Sequence, residues 1–62
     1  MGMRETLVIT DRITWWERCE WIKANCPDAQ DWTNWDLWQL GQDDIIYNIR
    51  EQDATFYYLR WA

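Results

Sequence analysis

The chain has no histidine, one proline (Pro27), two glycines (Gly2 and Gly41), two cysteines (Cys19 and Cys26) and only six basic residues against eleven acids. Without an imidazole, the side chain that most often serves as general base or metal ligand near neutral pH is missing. Two thiols and no histidine cannot assemble a conventional zinc site from one copy. Two separated glycines make no phosphate-cradling loop. Met1, Gly2 and Met3 are followed at once by Arg4 and Glu5, and no long apolar run occurs anywhere. Neither a signal peptide nor a spanning helix is expected, which predicts a cytoplasmic protein that does not engage a membrane. In a helix, Cys19 and Cys26 would lie about 10 Å apart, beyond the roughly 7 Å reach of a disulfide, so no internal bridge is expected.

What the chain does have is aromatic mass: seven Trp, three Tyr and one Phe among 62 residues. A chain of this length forms a single domain, residues 1–62, and buries only roughly 60% of the surface it exposes when unfolded. Large rigid aromatics compensate for that small core, each bringing about 150–250 Å² of surface.

Charge is unevenly spread. Residues 1–27 carry four acids and four bases, whereas residues 28–53 carry seven acids (Asp28, Asp31, Asp36, Asp43, Asp44, Glu51 and Asp53) against Arg50 alone. A phosphate-binding surface needs a basic stripe, so direct nucleic-acid binding is not expected. The acids either keep an aromatic-rich protein in solution or steer a partner toward it.

"ETLVIT" (residues 5–10) has the length and β-branching of a buried strand. Thr10 or Asp11 can cap a following helix, expected from Asp11 to about Asn25. There Trp15, Cys19, Ile22 and Cys26 fall along one face and should meet the core, with Trp16 at the flank and Trp21 turned away toward solvent. Pro27 ends that helix. After "PDAQD", a second strand is expected from Trp32 or Asn34 to Leu40, then a turn at "GQDD" and a third strand from Asp44 to Arg50, forming a hairpin. In the third strand Ile45, Tyr47 and Ile49 share one face. In the second, alternation sends Trp35 and Trp38 to opposite faces. The closing segment from Glu51 to Trp61 begins with acids suited to a helix N-terminus, and Ala54, Tyr57, Tyr58 and Trp61 mark one face of it. The expected fold is therefore α+β: a compact β-α-β-β-α two-layer domain, a three-stranded sheet with its helices on one face. If the first and third strands were parallel neighbours, the crossover through the first helix would be right-handed.

The short first strand, the Trp-rich helix and hairpin, and above all the ending "EQDATFYYLRWA" resemble small proteins of tailed bacteriophages that close with an acidic pair, Asp-Ala-Thr, an aromatic and Leu-Arg-Trp. The resemblance is close over residues 51–61 and loose over the rest. It implies a phage origin, a place in the host cytoplasm, and a role in host takeover, counter-defence or minor structural work. It implies no catalytic residue.

Catalysis finds little to work with. Asp43 and Asp44 are adjacent but fall in a turn, where acids are solvated, and the loop lacks the ligand pattern of a calcium site. Cys19 lies on the buried stripe and reads as a small core residue. No enzyme activity, no cofactor and no metal site are expected. Binding is the remaining class, because Trp and Tyr anchor interfaces. A sheet covered on one side leaves its other face open, and so small an interior cannot hold every indole. The candidate partner-binding residues are Trp21, Trp32, Trp35, Asp36, Trp38, Asp43 and Asp44, with Asp31 on the rim. The expected function is a small acidic interaction module that inhibits a host or defence protein by occlusion or by imitating nucleic-acid phosphates. The alternatives are a structural or assembly protein acting as a homo-oligomer, with a second copy as partner in a homodimer, a domain without detectable activity, or a face that stacks single-stranded bases.

Overall fold

A computed structural model describes residues 2–61 as three strands and three helices: β1 (Arg4–Ile9), α1 (Trp15–Asn25), β2 (Gln30–Asp31), α2 (Trp35–Gln39), β3 (Ile45–Arg50) and α3 (Glu51–Arg60). The strands form one sheet in the order β1-β3-β2, and β3 is antiparallel to both neighbours. The α+β class with a three-stranded sheet is as expected from the sequence, but the first and third strands are antiparallel, so there is no parallel crossover.

Register and burial agree on which face is inside. Leu7 faces Tyr47 and Ile9 faces Ile45 across the β1–β3 pair, with Glu5 opposite Ile49. The apolar members of this set join Cys19 and Ile22 of α1, Cys26, and Ala54 and Tyr57 of α3 in one buried core. The alternation of Ile45, Tyr47 and Ile49 thus points them all toward the helices. The principal extents of the molecule are 36 × 22 × 17 Å.

The opposite face carries Arg4, Thr6 and Val8 of β1 beside Ile46, Asn48 and Arg50 of β3. Arg4 and Arg50 face each other directly, which like charges resist. The conflict is relieved by acceptors on both sides. Arg4 donates to the Asn48 side-chain oxygen, to the Asn48 carbonyl at 2.9 Å and to the Asp28 carbonyl at 2.8 Å. Arg50 pairs with Asp53 at 2.9 Å and with Asp28 at 3.4 Å.

Helix α1 starts at Trp15 rather than at Asp11. Asp11 instead accepts the Ile13 N–H at 2.9 Å, closing a turn before the helix, and this bond holds its carboxyl below the ordinary value. Arg18 then ties the two long helices together: it donates to Thr14 Oγ1 and to the Tyr57 hydroxyl, both at 2.8 Å, and its guanidinium lies 5.0 Å over the Trp61 ring.

The largest departure from the sequence reading falls at residues 32–44. The second strand is two residues long, Gln30–Asp31, and the segment expected to continue it to Leu40 is the helix α2. Consequently β2 and β3 are joined through a helix and not through a tight "GQDD" hairpin. Both ends of α2 are chemically specified. Asn34 caps it, its side-chain oxygen accepting the Leu37 N–H. At the other end Gly41 adopts φ 78°, its N–H bonds the Trp38 carbonyl, and the Gln42 N–H bonds the Leu37 carbonyl, each at 2.9 Å. This paired closure requires a left-handed residue, which glycine adopts without strain.

Candidate functional site

Folding 35–39 as a helix reassigns the tryptophans. Trp35 and Trp38, three residues apart on α2, lie on the same side and not on opposite faces. Both meet Trp15 of α1 edge to face, with ring centroids 6.3 Å and 4.7 Å away, and each other at 5.4 Å. Trp16 stands perpendicular to Trp15 at 5.4 Å and is 58% exposed. Edge-to-face packing aims the positive edge of one ring at the negative face of the next, and these contacts link the four indoles into one cluster.

Polar bonds fix the cluster at its margins. Asp31 accepts the Thr33 N–H and the Trp35 indole N–H, both at 2.9 Å. Arg12 lies 4.7 Å over the Trp38 ring and donates to the Trp38 and Asp43 carbonyls, each at 3.3 Å. At the C-terminal end of α2 the guanidinium thus adds a second donor to the Trp38 carbonyl, which the Gly41 N–H already meets.

The residues picked out by sequence are accordingly divided. Trp35 and Trp38 are half-buried supports of α2, and Trp21 is half-buried too, against Tyr57 at 6.1 Å rather than in solvent. Trp32 is exposed, at 54%, and lies on the uncovered sheet face. Its N–H bonds the Ile46 carbonyl at 2.8 Å, which sets it level with Ile46 and, across β3, with Val8. Thr33 completes this edge by accepting the Ile46 N–H through its hydroxyl at 2.8 Å. Asp31, Asp36 and Asp44 are exposed and Asp43 is half-exposed, so the acids do reach solvent.

Sequence reasoning missed the outward side of α2. With Trp35 and Trp38 turned in, Leu37 and Leu40 point away from the cluster, and Leu40 is 70% exposed. The resulting surface is a short apolar ridge, Leu37 and Leu40, flanked by Asp36 and followed by Asp43 and Asp44. The signal for it was Asn34 and Gly41, the start and stop of a short helix.

Three buried side chains, Tyr47, Cys19 and Cys26, have no part in this surface. The Tyr47 hydroxyl has no hydrogen-bond partner among the described residues, and burial pushes its phenol well above the ordinary value, with the neighbouring Cys19 adding to the shift. Cys19 and Cys26 are free buried thiols, both raised chiefly by burial. Among the described residues no cluster of three or more Cys, Asp or Glu side chains is placed to hold a metal ion, and no helix is long and apolar enough to cross a membrane. Comparison with protein-family models, curated proteins and solved structures found no match.

Proposed function

We propose that this chain is a small protein-interaction module that binds through the outward side of α2 and the acidic segment around it. The observation that supports this most is the inward anchoring of Trp35 and Trp38 on Trp15, which presents Asp36 and Leu37 on a braced five-residue helix and Leu40 at its C-terminal cap. A surface held in place before binding loses little freedom when a partner docks. Exposed apolar side chains bordered by carboxylates suit a partner with an apolar contact ringed by Lys or Arg, such as a protein whose own ligand is nucleic acid. Binding there occludes the partner's basic channel, with Asp36, Asp43 and Asp44 standing where phosphates would. The phage resemblance of residues 51–61 makes a host or defence protein in the host cytoplasm the natural target. The reading is one of occupancy, not catalysis.

The test is capture from host lysate at low and high salt, with wild type and an Asp36→Lys, Asp44→Lys double variant. The proposal expects a protein retained at low salt, released at high salt and lost with the double variant. Capture indifferent to both salt and charge reversal would refute it.

A further inference from the structure

Beyond this surface, the sheet has an edge strand, β1, that pairs on one side only among the described residues. Because the Trp32 N–H bonds the Ile46 carbonyl, the backbone of Ile46 faces β2. In an antiparallel ladder, alternate residues point their N–H and C=O to alternate sides, so Ile45, Tyr47 and Ile49 bond β1. Their partners Ile9, Leu7 and Glu5 face β3, which leaves the N–H and C=O of Arg4, Thr6 and Val8 pointing outward along the free edge of β1.

The two edges of the sheet are unequal. β2 is two residues long, and the chain leaves it for a helix, a form that offers no template to another strand. β1 is six residues long, about 20 Å, and has no proline or bulge to blunt it. Thr6 and Val8 are both exposed, their side chains on the uncovered face of the sheet.

We infer that β1 pairs antiparallel with β1 of a second copy, extending the two sheets into one of six strands. The occupant is a second copy because the edge is self-complementary in hydrogen bonding and brings no like charges together. Under a two-fold axis at Thr6, Thr6 faces Thr6 of the other copy and Arg4 faces Val8, so outward donors meet outward acceptors throughout. Paired Thr side chains across strands are favourable, and Arg4 and Glu5 sum to zero along the strand. The alternative edge, β2, is flanked by Asp28 and Asp31 and would bring like charges together. A single strand pair buries less than the roughly 1,200 Å² of a stable interface, so the dimer is weak and set by concentration. Its consequence is bivalency: two acidic α2 surfaces on one particle, held together when the target is itself repeated.

Sedimentation velocity from roughly 10 to 500 µM, the range where weak dimers dissociate, tests this with the full chain. Wild type should pass from monomer to dimer. Thr6→Pro, which removes an outward N–H that bonds nothing within the sheet, and Thr6→Lys, which sets two cations against each other, should stay monomeric with unchanged circular dichroism. Hydrogen exchange should show the Thr6 and Val8 amides slowing as concentration rises. Wild type monomeric throughout, or a dimer that survives both variants or is abolished instead by Phe56→Ser on α3, would overturn the inference. The Asp36→Lys, Asp44→Lys variant should still dimerise, so failure of the α2 reading and failure of this one are told apart.

Discussion

Replacing Trp15 with alanine is the most direct way to ask whether the indole cluster holds the molecule together. Trp15 makes three edge-to-face contacts, at 4.7, 5.4 and 6.3 Å, and it is the residue through which α1 meets α2. At about 0.5–1.5 kcal/mol for each aromatic pair, the lost contacts alone amount to about 2–4 kcal/mol. Lost burial adds to this, although Trp15 is only half-buried, so the total stays near the lower part of the ~3–5 kcal/mol typical of Trp→Ala in cores. A chain of 62 residues has a total stability of about 3–9 kcal/mol. The substitution therefore removes a large share of it. Trp16→Ala is the matched control, since Trp16 is the neighbouring indole, touches one ring and is mostly exposed. Its cost should be below about 1 kcal/mol, because surface changes away from special features are small. Urea unfolding followed by circular dichroism reads both, and each kcal/mol should lower Tm by about 4–8 °C in a domain this small. A Trp15→Ala cost no greater than that of Trp16→Ala would refute the view that the cluster braces α2.

The ends of α2 give a second prediction: Asn34→Ala and Gly41→Ala should each cost about 1 kcal/mol, the first by losing a cap and the second by forcing a side chain into left-handed geometry. Equal stability to wild type in urea would contradict the helix assignment. Cys19 and Cys26, buried and raised in pKa, should react with iodoacetamide only through opening of the fold, so labelling should be slow in buffer, fast in urea and accelerated by Trp15→Ala. Prompt labelling in buffer would show that they are not enclosed. Tyr47 gives the pH dependence. Its folded pKa lies above the unfolded one, so its neutral form contributes stability that is intact below about pH 10 and lost as pH rises toward the folded value. Alkaline titration followed by tyrosinate absorbance should show one phenol ionising together with unfolding, and Tyr47→Phe should remove that coupled step.

The parts of the fold legible in the sequence were those where one period dominated. Ile45, Tyr47 and Ile49 alternate cleanly, and Cys19, Ile22 and Cys26 recur at helical spacing, so β3 and α1 were placed on their correct faces. Residues 35–39 obey two periods at once. Trp35 and Leu37 fit a strand, Trp35 and Trp38 fit a helix, and five residues are too few for hydrophobic spacing to decide. Capping chemistry at Asn34 and Gly41 decides it instead. The exposure of Asp31, Asp36 and Asp44 was readable because unpaired carboxylates avoid interiors. The burial of Trp35 and Trp38 was not, because it depends on Trp15, a residue brought to them only by the tertiary fold.

The pairing of β1 with β3 has a consequence for how the chain comes to be folded. Every partner of β1 lies in Ile45–Arg50, so the first strand made on the ribosome waits for almost the last segment before any of its hydrogen bonds within the sheet can form. Closing so long a loop precedes the gain from pairing, which slows folding relative to a helical protein of equal size. During that wait α1 and α2 can already dock, since Trp15, Trp35 and Trp38 all lie between the two long strands in sequence. The indole cluster also cross-links this long loop: with Trp15 held against Trp35 and Trp38, fewer free residues separate β1 from β3.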